Sequence, residues 1–137
     1  MRLFSCFCVL TLMALVVGCG SGNMPLKGKV TFSDDGSPLT EGTVVCQKDG
    51  KIYRGIIEED GTYTITDIEK AGTGLPPGKY QVTLTAQKAT LVDDVYGHYE
   101  YEQLIDLKYQ SPETSGLSVE IPAEKNTYNI VVDRFGR

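Results

Sequence analysis

The densest set of chemistry-bearing side chains is Tyr96, His98, Tyr99 and Tyr101, four groups within six positions. Aromatic faces with polar tips suit a sugar or a protein surface. His98 is the only histidine in the chain, so it has no second imidazole with which to bind a metal. A nucleophile would need a base and an orienting group beside it. The chain has no Gly-x-Ser-x-Gly elbow, no Cys-x-x-Cys pair and no phosphate-cradling glycine loop. The expectation is therefore a non-enzyme without metal or cofactor. The tyrosines are read first as an apolar lid over an open end of the fold. The alternative is a carbohydrate- or protein-binding module built on the Tyr-rich loop 95–109.

The four cysteines, Cys6, Cys8, Cys19 and Cys46, do not make a disulfide set. Cys6 and Cys8 lie in an apolar leader that runs from Leu3 to Val17 behind a single charge, Arg2. This run is shorter than the roughly 20 residues that span a bilayer and ends in small residues, the shape of a secretory signal peptide. Its end, Val16-Val17-Gly18-Cys19, resembles the bacterial lipobox. That resemblance implies cleavage before Cys19 and diacylglycerol on its thiol, with further acylation (palmitate class) making the anchor stable where one chain would not. Residues 1–18 are thus read as a lipoprotein signal peptide and 19–25 as the acylated cysteine with a short tether. Gly20-Ser21-Gly22-Asn23-Met24 is flexible and spans only about 12 Å. The domain, 26–137, is expected close to a cell membrane or outer membrane, facing the periplasm or exterior. Cys46 is left as a lone thiol inside an apolar strand, which reads as a small buried hydrophobe.

Charge narrows the partners. Thirteen Lys and Arg stand against eighteen Asp and Glu, a net charge of −5, and cleavage removes Arg2 from the basic side. No basic cluster is available for a nucleic-acid backbone. The same acidity disfavours direct adsorption to anionic headgroups, so membrane contact is expected through Cys19 alone. An envelope protein or glycan is the remaining class of partner.

The elements that must position these groups are strands. Leu26–Phe32 alternates, with Val30 and Phe32 on one face. The run Ser33-Asp34-Asp35-Gly36-Ser37-Pro38 is a turn by composition, and its acids lack the alternating-oxygen spacing of a calcium loop. Gly42–Lys48 presents Val44 and Cys46 together, and Asp49-Gly50 marks a tight hairpin. Residues 51–58 and 62–66 follow, joined through Glu58-Glu59-Asp60-Gly61. A Gly/Pro-rich corner, 72–78, then leads into Tyr80, Val82, Leu84 and Ala86 inward, with Gln81, Thr83, Thr85 and Gln87 outward. Residues 89–116 are the exception, a long connection with weak helical spacing through Tyr101, Leu104, Ile105 and Lys108. Leu117–Ile121 and residues 127–133 close the chain. Seven strands without a long helix predict an all-β, seven-stranded antiparallel sandwich of two sheets.

The order Gly28-Lys29-Val30-Thr31-Phe32, Pro38 to Val44, Asp60-Gly61-Thr62-Tyr63, Gly74 to Tyr80 and Lys108 to Leu117 resembles the transthyretin-like, or carboxypeptidase-regulatory-like, domains. More closely, it resembles the lipoproteins of planctomycete-type bacteria that carry one such domain. The resemblance implies a Greek-key sandwich of the transthyretin (prealbumin) type and no catalytic residues. A hydroxyisourate hydrolase on the same scaffold would need several His and Arg and a C-terminal Tyr-Arg-Gly-Ser. Here the chain ends Asp133-Arg134-Phe135-Gly136-Arg137. The expected role is structural or interaction-based, at the cell envelope.

Overall fold

The computed structural model describes residues 23–70 and 73–137. Cys19, the leader and most of the tether lie outside the described residues, as does Gly72 of the Gly/Pro corner. Nine strands are seen among the described residues: β1 Leu26–Phe32, β2 Gly42–Lys48, β3 Lys51–Ile57, β4 Thr62–Ile65, β5 Gly78–Thr85, β6 Gln87–Asp93, β7 His98–Gln103, β8 Leu117–Ile121 and β9 Ile130–Val132. Seven of them form one sheet in the order β8-β5-β2-β3-β4-β1-β9, and β6 pairs with β7 in a sheet of its own. The fold is all-β.

Local chemistry explains the turns. At the β2–β3 hairpin Asp49 and Gly50 both take positive φ, 50° and 77°, the backbone that a two-residue loop requires. The β3–β4 corner is held by Asp60, whose carboxylate accepts from the Thr62 amide at 2.9 Å and the Thr62 hydroxyl at 2.6 Å. Beyond that corner β3 and β4 share only the pair Ile57↔Tyr63. The sheet therefore opens along this seam and curls, bringing the inner face of β8-β5-β2-β3 over that of β4-β1-β9.

Between them lies the core predicted from the two-residue alternation. Val30, Phe32, Val44, Cys46, Tyr63, Ile65, Tyr80, Val82, Leu84, Ala86, Ile130 and Val132 are all buried. Burial of each large side chain here contributes on the order of 1.5–3 kcal/mol before entropy is charged against it. Tyr53 and Tyr80 meet edge to face with ring centroids 5.9 Å apart. The phenols that point inward are satisfied: Tyr80 Oη donates to the Pro76 carbonyl at 2.7 Å, and Tyr63 Oη donates to the Tyr128 carbonyl. Burial pushes both phenols to higher pKa, Tyr80 to about 12.

Three expectations are corrected. The sheet is mixed, not antiparallel throughout, because β9 runs parallel to β1 with Val30↔Ile130 and Phe32↔Val132 in register. The chain reaches β9 by crossing over from β8 at the far edge, and that crossing reverses its direction. Secondly, residues 89–116 are not one connection. Their first part is the β6–β7 hairpin; their second is a 3₁₀ turn, Leu107–Gln110, and a single helical turn, Pro112–Ser115. That second part is anchored by Ile105 and Tyr109, both buried, and by Ser115, whose hydroxyl donates to the Val82 carbonyl at 2.7 Å. Thirdly, Thr83 was expected on the solvent face of β5 and is buried, because this same segment packs against β5.

Candidate functional site

The tyrosine cluster sits on the β6–β7 ribbon. Only Ala86 separates β5 from β6, so the core strand runs straight on into the ribbon. At the tip the Asp93 carboxylate accepts from the Val95 amide at 2.9 Å and the Tyr96 amide at 3.3 Å, and Gly97 turns the chain at φ 65°. At the root the Leu104 amide donates to the Ala86 carbonyl at 3.1 Å. Register assigns the faces: Ala89 lies opposite Tyr101 and Leu91 opposite Tyr99, while Lys88 lies opposite Glu102 and Thr90 opposite Glu100. Cross-strand partners share a face. One face of the ribbon is thus Ala89, Leu91, Tyr99 and Tyr101, and the other is charged.

The four residues singled out from the sequence are only partly brought together. Tyr99 and Tyr101 share the apolar face, Tyr96 lies in the turn at the tip, and His98, adjacent to Tyr99 on the strand, faces the opposite way. The reading of the rings as a lid is not what the structure shows. Tyr96 is 86%, Tyr99 49% and Tyr101 66% exposed, and none belongs to the core. The open end is closed by Leu104, Ile105 and Tyr109 in place of the tyrosines. Leu91 was missed, as was the whole β6 half of the apolar face. The signal was present in the alternation Lys88-Ala89-Thr90-Leu91 and Tyr99-Glu100-Tyr101-Glu102.

A polar network ties the root of the ribbon to the C-terminal segment. Asp133 accepts from Lys108 Nζ at 2.5 Å, from Ser33 Oγ at 2.6 Å and from Tyr109 Oη at 3.2 Å. These donors, Lys108 foremost, hold its carboxyl down at about 2. Arg134 lies over the Phe32 ring at 3.7 Å, and its guanidinium donates to Asp34 at 2.8 Å and to Asp35 at 3.1 Å. Asp35 also caps its own turn, accepting from the Ser37 amide and hydroxyl, and these bonds, with Arg134, bring it to about 2. The paired acids of this turn are therefore engaged in capping and ion pairing.

An open groove of about 450 Å³ lies between this turn and the ribbon, lined by Pro38, Leu39, Thr40, Lys88, Glu102 and Leu104 among others. Because Lys88 and Glu102 look into it, the tyrosine face at the ribbon's root turns away from the body. Elsewhere, Cys46 is fully buried, and desolvation pushes its thiol up to about 12, so it is not a nucleophile at neutral pH. Among the described residues no group of three His, Cys, Asp or Glu is placed to hold a metal, and no helix is long and apolar enough to cross a membrane.

No family model matches the chain, and no curated protein matches it. It is similar to the crystal structure of the major pilin subunit of Bacillus cereus, with a TM-score of 0.50 and 15% identity. The alignment takes in 82% of this chain but 30% of the pilin's length. The fold is β-sandwich-like. At that identity the likeness concerns the fold alone. A 9R-lipoxygenase from Cyanothece PCC8801 aligns over 84% of this chain and 17% of its own, at 17% identity and a TM-score of 0.42, and no argument rests on it.

Proposed function

We propose that this chain is a non-catalytic, transthyretin-like lipoprotein domain, anchored at the cell envelope through Cys19, that offers the β6–β7 ribbon to an envelope partner. The carrying observation is that the ribbon exposes Tyr96, Tyr99 and Tyr101 while contributing no side chain of its strands to the core. A lone two-stranded ribbon is marginal in water, so its apolar face is an expense to the fold unless something covers it. A purely structural role would need only the anchor and the acidic sandwich, and it leaves those rings without a use.

The poles of the domain support the same reading. Met24 and Leu26, where the tether joins, lie beside Gly74 and Ile65 at the start of β1. The ribbon leaves from the other end, where β1 finishes at Phe32 and Arg134 closes over it. β1 separates the two by seven residues, about 20 Å. A domain held by its N-terminus then directs the ribbon away from the anchoring membrane. Two variants test this. Cys19→Ala should leave the detergent phase for the aqueous phase; retention there would remove the anchor from the account. Combined Tyr96→Ala, Tyr99→Ala and Tyr101→Ala should keep the melting temperature and lose cross-linked partner in envelope preparations.

A further inference from the structure

Resting on the ribbon as the contact element, we propose that its partner is a polypeptide segment, bound as an added strand along the outer edge of β7, with side chains alternating aliphatic and basic. Among the described residues β7 pairs with β6 alone, so its other edge carries free backbone donors and acceptors. Such an edge is a template for another strand unless something blunts it. β6 is blunted: the register shifts between Leu91 and Asp93, so Val92 is an extra residue and the ladder is interrupted. β7 is regular, six residues long, and contains no proline and no lysine.

The chemistry of the added strand follows from the faces. Continuing the pleat, its residues beside Tyr99 and Tyr101 are apolar, and those beside Glu100 and Glu102 carry the opposite charge. The ribbon has one Lys, Lys88, against Asp93, Asp94, Glu100 and Glu102, within a chain of net charge −5. A second copy is therefore disfavoured, because pairing two β7 edges brings like charges together. A glycan is disfavoured for a different reason. Sugar recognition needs hydrogen-bonding groups beside the rings, whereas Tyr99 and Tyr101 lie opposite Leu91 and Ala89, and the amides on that face, Gln87 and Gln103, pair with each other at the root. Gln103, on the same face at the root, already accepts from Gln110 at 3.3 Å.

The test uses the full-length protein in detergent micelles and four seven-residue probes. These are an acetylated, amidated Lys/Val alternation, its Glu/Val counterpart, a same-composition peptide with Lys and Val in separate blocks, and the Lys/Val alternation N-methylated at every second residue. Binding is read by fluorescence anisotropy, with chitotriose as a glycan probe by calorimetry. The alternating Lys/Val peptide should bind saturably, at least tenfold more tightly than the other three. Glu100→Lys with Glu102→Lys should reverse the preference toward the Glu/Val peptide, with circular dichroism confirming the fold. Equal binding of the block or N-methylated peptide reduces the effect to charge attraction and overturns strand addition. Chitotriose binding that Tyr99→Ala abolishes, with no peptide preference, overturns the polypeptide partner yet leaves the ribbon as a contact element. Loss of envelope cross-links in the tyrosine variant without peptide preference does the same.

Discussion

Tyr109 and Asp133 hold each other twice: the phenol donates to the Asp133 carboxylate at 3.2 Å and accepts from the Asp133 amide at 3.1 Å. The first residue belongs to the 3₁₀ turn after the ribbon and the second follows the last strand, so this reciprocal bond joins the ribbon's root to the end of the chain. Tyr109→Phe leaves a partly buried amide without its acceptor. It should lower stability by about 1–2 kcal/mol, read as a fall of several degrees in melting temperature. A melting temperature within about half a degree of wild type would show the bond to be incidental.

The same carboxylate makes stability depend on acid. Asp133 titrates near 2 in the folded domain against an ordinary value near 4, through Lys108 first, then Ser33 and Tyr109. A depressed folded pKa contributes stability that is fully present above the unfolded value and is lost as pH falls through the folded one. Asp35 behaves in the same direction through Ser37 and Arg134. Melting temperature should therefore drop between about pH 4 and pH 2, and Asp133→Asn should flatten that drop. Both carboxylates are solvent-accessible, so the effect should shrink in high salt. An unchanged slope in the variant would remove Asp133 from the explanation.

Gly28 marks a place where two elements meet with no room between them. A Cβ there would run into the Tyr128 carbonyl and would lie 2.8 Å from Tyr63 Oη, the two groups that hydrogen-bond across the inner face. Gly28→Ala should cost about 1–3 kcal/mol through overpacking, whereas Gly36→Ala, with open space around it but a φ of 71°, carries only the backbone strain of its turn. Chemical denaturation of the two variants ranks them. Equal loss would argue against close packing at the β1–β9 seam.

These outcomes bear on what could be read from residues alone. The seven strands of the large sheet were legible because each buries one face, so Val30/Phe32 or Tyr80/Val82/Leu84 alternate with polar neighbours. The β6–β7 ribbon alternates too, but both of its faces are exposed, and the tyrosine–glutamate pattern carries no burial signal to set against the helical spacing through Tyr101, Leu104, Ile105 and Lys108. The parallel pairing of β9 with β1 depends on a crossover between distant segments, which local pattern does not record. Asp133, Lys108 and Ser33 are each unremarkable in sequence; the fold alone brings them together. Lone Cys46 was read correctly, since an apolar strand position is itself the burial signal.

Removing the rings should not unfold the domain. Tyr96→Ala, Tyr99→Ala and Tyr101→Ala together delete large side chains that lie outside the core. The melting temperature should stay within about 2 °C of wild type, against the drop of roughly 3–5 kcal/mol per site that core aromatic truncation brings. Truncating Tyr63 or Tyr80 alone supplies that comparison. A large loss in the triple variant would restore the rings to a structural role.

The most direct measurement places a photoreactive phenylalanine analogue at Tyr99 in the full-length protein and irradiates intact producing cells. A matched probe at Arg54, on the exposed outer face of β3, is the control. A single adduct of defined mass from position 99, absent from position 54 and identified as polypeptide by its tryptic fragments, is the result expected of a ribbon that pairs with a partner strand. No adduct at 99, or the same adducts from both positions, would contradict the ribbon as the contact element.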